Sequence, residues 1–228
     1  MTVDLAQFRM ESLSAATFAD RAFAALDEVP DDENLHMRLG GVKNLTEEIL
    51  PLALFAKYFD APERRAHCRY LGASDDEADG ELSLSGRAVD LGFYPRRVLV
   101  EITCAEDSKA YLRREALARH GAVFTGMDIE RIGRRGDSGS SVVSRVVVRE
   151  GDSGISEMAG LVRAAVERKV RKNYSPKRLL LVRLDPDFAL THTKVCAVAA
   201  QSRDGQVSDA FLAVFLVECS TACVFQAY

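Results

Sequence analysis

Two carboxylates on either side of a turn are the first chemistry visible in this chain. Asp90 stands four residues before the segment Tyr94-Pro95-Arg96-Arg97, and Glu101 stands four residues after it. Val89, Leu91 and Phe93 alternate with Ala88, Asp90 and Gly92, and Val98 to Cys104 reads as a second strand. Paired about that turn, the two acids would face each other with Cβ atoms roughly 5 Å apart. Carboxylates that close repel unless a cation lies between them. A divalent ion such as Mg²⁺, which gathers oxygen ligands at about 2.0–2.1 Å, is one answer. A solvated polar face is the other.

Two further charged side chains fall on apolar stripes. In the helix expected from Asn44, with Leu45, Ile49, Leu52, Ala56 and Phe59 on one face, Glu48 lies about 40° from the stripe centre, whereas Glu47 points away. An inward carboxylate needs a partner or a route to water, because unpaired burial costs several kcal/mol. In a helix over about 156–173, Lys169 lies within about 20° of the centre of the stripe formed by Ile155, Met158, Val162, Ala165, Val166 and Val170. Its ammonium must reach a carboxylate, a phosphate or water at the helix end.

The elements that would position these groups follow from period and punctuation. Residues 12–28 form an amphipathic helix with a serine cap, ended by Pro30. Asn44 and Glu47 resemble a capping box, and Pro51 is expected to kink the helix that follows. Residues 69–80 read as a loop. A helix runs from Asp107 or Ser108 to Gly121, a short strand spans 122–126, and a Gly/Ser/Arg loop leads to a strand at 142–149. Leu179–Leu184 is a near-continuous apolar run suited to a central buried strand, and 210–218 and 223–228 read as two more strands. The expected class is α/β, with α+β as the alternative: a central mixed sheet flanked by helices.

The order of elements, with Glu48 on a helix and Asp90-x10-Glu101-x-Thr103 on a hairpin, then a helix and a strand, resembles the restriction-endonuclease-like PD-(D/E)XK nuclease superfamily. Ala-Val-Asp90 stands where that superfamily has Pro-Asp, and Glu101-Ile102-Thr103 where it has Glu-x-Lys. Val166 to Tyr174, leading into Leu179-Leu-Leu-Val-Arg, is similar to the helix and strand that follow in several of its members. The resemblance covers about residues 44–185. It implies a core at 44–185 within a single domain, an N-terminal helical extension at 1–43 and added strands at 186–228.

By that resemblance Asp90, Glu101 and the Ile102 carbonyl would hold Mg²⁺ or Mn²⁺, with Glu48 assisting through water, and the ion would activate water for phosphodiester hydrolysis. Thr103 takes the place of the family's lysine. Either a cation arrives from elsewhere, with Lys169 the candidate and Arg113 or Arg114 the substitutes, or the site is inactive and the chain is a binding module. Asp79 competes with Asp90 as the first acid. The implied partner is nucleic acid, DNA foremost, met by Arg113, Arg114 and Lys172 together with Arg168, Arg171, Lys177 and Arg178.

Composition limits the alternatives. With 228 residues, 47% apolar and a net charge of −4, the chain can build a core and is not a uniformly basic nucleic-acid coat. It carries no apolar run of membrane-spanning length, and its start is not that of a secretory signal, so a cytoplasmic location is expected. Five cysteines without C-x-x-C spacing suit small buried hydrophobes rather than disulfides or zinc. Ala66-His67-Cys68 and Gly136-Asp137-Ser138-Gly139 look like trypsin-type motifs, but the helical pattern between them argues against a serine hydrolase. The helix at 12–28 either completes the core or pairs two copies as a homodimer.

Overall fold

Ser14 starts the first long helix: its Oγ accepts the Thr17 N–H at 3.2 Å, satisfying a donor that the helix itself leaves open. The computed structural model describes residues 3–30, 33–72, 78–121, 127–134, 140–146, 153–172, 174, 178–184, 190–203 and 210–228. A short helix α1 (Ala6–Arg9) and strand β1 (Leu13–Ser14) precede that helix, α2 (Ala15–Asp27). Ala15, Phe18, Ala19, Ala22 and Ala25 form its buried face at helical spacing, as expected for residues 12–28. This face belongs to the main core, so α2 completes that core.

Helices α3 (Glu33–Met37) and α4 (Gly41–Asn44) come next, then a π-helical turn at Leu45–Ile49 and α5 (Leu50–Phe59). The expected asparagine cap does not form. Asn44 has helical backbone angles (φ −63°, ψ −39°), and its side chain makes no cap hydrogen bond. Pro51 follows directly on the wide turn, as the second residue of α5.

Strands β2 (Arg65–Tyr70), β3 (Gly80–Ser85) and β4 (Arg97–Ala105) form an antiparallel meander, with helix α6 (Arg87–Asp90) in the β3–β4 connection. The expected strand at 88–94 is therefore a helical turn followed by an exposed loop. Its backbone donors are satisfied locally: Val89 and Asp90 donate to the Gly86 carbonyl, and Phe93 to that of Ala88. Gly92 adopts φ +81°, which breaks an extended run, and Leu91 and Phe93 are exposed. Three residues of the stretch expected to be a loop, 69–80, belong to strands instead: Arg69 and Tyr70 end β2, and Gly80 begins β3.

Gly86 makes this connection workable. At φ +106° a Cβ there would lie 2.8 Å from the Glu63 carbonyl oxygen, which accepts the Ala88 N–H at 3.0 Å. Gly86→Ala is expected to destabilise the fold by about 2 kcal/mol or more, read as a lower denaturant midpoint at unchanged slope.

Helix α7 (Ala110–His120) ends at Gly121 in the left-handed conformation (φ +68°), as its expected C′ role requires. Strands β5 (Met127–Ile132) and β6 (Ser141–Val146) pair as a separate antiparallel ribbon. The strand expected at 142–149 appears as β6, whereas that expected at 122–126 lies outside the described residues. Helix α8 (Ser153–Val170) then crosses over to β7 (Arg178–Leu184), followed by α9 (His192–Ser202), β8 (Phe211–Glu218) and β9 (Cys223–Gln226). Helix α9 was not expected, although Thr191 caps it and its buried Val195, Val198, Ala199 and Ser202 stand at helical spacing.

Among the described residues the main sheet is curled, mixed and seven-stranded, in the order β1-β2-β3-β4-β7-β8-β9. β4, β7 and β8 are parallel, and the other pairs are antiparallel. Every residue of β7 is buried, as its apolar run demanded. Strand alternation divides the core in two. Val98, Val100, Ile102, Leu179 and Leu181 pack with α2 and α5, while Leu180, Val182 and Leu184 pack with α8 and α9. Glu101 and Thr103 consequently point to the α8 face. Of the five free cysteines, Cys68 is fully buried and the other four are half-buried. No helix among the described residues is long and apolar enough to cross a membrane.

Candidate active site around Glu101

The β3–β4 register pairs Gly80 with Val100, so the residue before Gly80 arrives beside Glu101. That residue is Asp79. Its Oδ2 accepts the Ile102 N–H at 2.6 Å, which ties the acid to the strand carrying Glu101. From the last turn of α8, Lys169 places its Nζ 2.7 Å from Glu101 Oε2 and 3.7 Å from Asp79 Oδ2. One ammonium is thus shared by two carboxylates.

Glu101 is almost wholly enclosed, with a side chain 4% exposed. A carboxylate there survives only if its lone pairs are filled. Arg178, at the first position of β7, donates from Nη1 to Oε1, and the Tyr174 hydroxyl donates to Oε2 at 2.9 Å. The Arg178 guanidinium also lies over the Tyr174 ring, 4.5 Å from its centroid. Burial pushes the Tyr174 phenol well above its ordinary range, and its hydrogen bond to Glu101 adds to the shift.

Asp79 is the group whose protonation is most nearly balanced. Burial raises its carboxyl from the ordinary 3.8 to about 6. Lys169 and the Ile102 N–H pull it down, while the neighbouring carboxylates of Glu101 and Glu48 push it up. Glu48 reaches this group from the helical segment before α5, inward as its stripe position implied. It accepts from the Tyr70 hydroxyl and, at 3.3 Å, from Asn44 Nδ2. Asn44 also donates to the Tyr70 oxygen at 2.9 Å. The Tyr70 phenol is raised to about 12, mainly by burial and then by its bond to Glu48. Glu47 turns to Arg38 instead, at 3.3 Å.

Asp90 is not part of this site. It sits at the end of α6, largely exposed, with Arg96 Nη2 3.4 Å away as its ion-pair partner. The acid that meets Glu101 is the competing one, Asp79. Ile102 belongs to the site through its backbone. Thr103 accepts from Arg168 Nη2 at 2.9 Å, so a guanidinium stands over it.

The residues expected to meet phosphate divide. Arg113 pairs with Asp107 at 2.8 Å and Arg114 with Glu106 at 3.0 Å, both largely buried, so neither is a surface clamp. Glu106 also receives Arg38 and Arg183. Burial alone would raise its carboxyl, but Arg38 and Arg114 outweigh it and bring the pKa to about 2. Lys172 is exposed just past α8, and Lys177 lies outside the described residues. Arg178 and Tyr174 were not foreseen as partners of Glu101. The one hint was a positive charge at the mouth of an otherwise apolar strand.

Among the described residues no group of three His, Cys, Asp or Glu side chains is arranged to hold a metal ion. The cation shared by Asp79 and Glu101 in this geometry is the lysine. His67, on β2, is exposed and faces Ser83 across the ladder, and Gly136–Gly139 of the trypsin-like motif lies outside the described residues. The chain matches no family model, no curated protein and no solved structure.

Proposed function

We propose that the chain is a metal-dependent phosphodiesterase that cleaves nucleic acid, built on a restriction-endonuclease-like core. What carries the reading is the shared ammonium, Lys169 Nζ against both Glu101 and Asp79. An acid at the start of one strand, a second acid on the next and a lysine between them are the parts phosphodiester hydrolysis needs. The element order agrees with the resemblance: a helix bearing Glu48, the meander β2-β3-β4, the crossover α8, and β7 parallel to β4.

Asp79, Glu101 and the Ile102 carbonyl are the hard oxygen donors that would hold Mg²⁺ or Mn²⁺, with Glu48 behind them. They fit such an ion in donor chemistry: each is a hard oxygen, and the bond from the Ile102 N–H holds Asp79 Oδ2 against the strand that carries Glu101. Bound there, the ion supplies Lewis acidity and a more acidic water. Arg178 and Tyr174 hold Glu101 in one rotamer, and Tyr70 and Asn44 do so for Glu48. Lys169 is the cation for the developing phosphate charge, in place of the lysine that Thr103 replaces. Arg168 adds positive charge beside it. Exposed Arg171 and Lys172 at the same helix end suit a phosphate backbone.

The test is cleavage of labelled single- and double-stranded DNA and RNA with millimolar Mg²⁺ or Mn²⁺. Cleavage is expected with metal and not with chelator, and Lys169→Met should lower it at least about 100-fold. A second reading, a non-catalytic nucleic-acid-binding module, is favoured by one observation: Glu101 already accepts from Lys169, Arg178 and Tyr174. No cleavage of any substrate and no calorimetric metal binding at millimolar concentration would select the module over the enzyme.

A further inference from the structure

On the opposite face of the sheet from Glu101 lies a cavity of about 640 Å³, floored by Val98 and Leu179. Its volume is that of a small-molecule site. The walls are aromatic: Tyr58, Phe59, Phe93, Tyr94 and Phe215. Two of these rings, Tyr58 and Phe93, are more than half exposed, with Leu212 beside them. Isolated exposed apolar side chains are ordinary, but several converging on one concavity are not.

Among the described residues, the one cation in the lining is Arg64. Its Nε donates to the Phe59 carbonyl at 2.7 Å, and its guanidinium lies 3.7 Å from the Phe59 ring centroid and 4.5 Å from that of Tyr94. The side chain thus sits in the corner formed by two perpendicular rings, whose centroids are 5.6 Å apart. Among the described residues no carboxylate comes within ion-pair distance of it. Most other partly buried arginines here, including Arg38, Arg114, Arg131, Arg178 and Arg183, hold an acid. A pre-positioned, unneutralised guanidinium at an aromatic cavity is the signature of an anion-bearing ring as ligand.

We propose that this cavity binds a small aromatic anion, its ring against Tyr58, Phe93 and Phe215 and its carboxylate or phosphate on Arg64. The site is separate from the Glu101 cluster, so this binding does not depend on whether the chain cleaves nucleic acid.

The test uses 1-anilinonaphthalene-8-sulfonate, whose emission is easily read because the chain has no Trp. The full chain is titrated with this probe, which is then displaced with 2-naphthoate, 2-naphthyl phosphate and uncharged 2-naphthamide. Saturable binding is expected, with at least one of the two anions displacing the probe about tenfold better than the amide. The stronger of the two identifies the ligand's acidic group. Arg64→Met should weaken the anions about tenfold and leave the amide unchanged, and Ala213→Phe, which fills the cavity, should weaken all three. Circular dichroism melts check that both variants fold, and Arg64→Lys, which keeps the charge, should recover part of the anion preference if Arg64→Met does not fold. Unsaturable probe binding, or equal displacement by amide and anions, would overturn the proposal.

Discussion

Glu101→Ala is expected to lower the stability of the fold by about 3–5 kcal/mol, because it leaves Arg178 in the interior without its acid and Lys169 with Asp79 alone, 3.7 Å away. The Lys169 and Arg178 side chains are 13% and 9% exposed, so water cannot replace the lost carboxylate cheaply. Tyr174 loses its acceptor at the same time. Urea unfolding measures the effect, and Glu101→Gln, which keeps the shape and one acceptor, should cost less. Adding Arg178→Met to Glu101→Ala should restore part of the loss, since it removes the charge left without an acid. A Glu101→Ala protein within about 0.5 kcal/mol of the parent would mean that the carboxylate is not enclosed in this ion group. The same variant should abolish metal-dependent cleavage.

The second large effect is on pH dependence, through Asp79. Its folded pKa of about 6 lies above the ordinary 3.8, so between those values the folded chain holds a proton that the unfolded chain has released. Stability must therefore fall as pH rises from about 4 to about 6 and level off above, by an amount of order 3 kcal/mol. Other carboxylates with depressed values, such as Glu106, contribute in the opposite direction and at lower pH. Asp79→Asn isolates the term. The amide oxygen can still accept the Ile102 N–H, the slope between pH 4 and 6 should flatten, and the variant should be more stable than the parent at pH 8. Cleavage by the parent should rise through pH 6 as Asp79 ionises, and the variant should not cleave. If the pH–stability profiles of parent and variant run parallel, Asp79 does not titrate in the interior as described.

Much of this was legible in the chain because it depends on neighbours within one turn or one strand. The cap at Ser14, the C′ glycine at 121 and the buried run of β7 are local facts. So are the inward Glu48 and the mid-stripe Lys169, since helical geometry alone sets which way a side chain faces. What remained hidden depends on which distant segments meet. Asp90 and Asp79 are the same residue type, and the short alternation at 88–94 favoured the former. Only the pairing of β3 with β4 across the helical turn of α6 brings Asp79 beside Glu101 and leaves Asp90 in solvent. Likewise nothing near Glu101 in sequence announces Arg178, 77 residues on, or the Arg168 that stands over Thr103. Periodicity determines the face a side chain presents, but the partner it finds there is decided by strand register, a contest between non-local pairings that no short window contains.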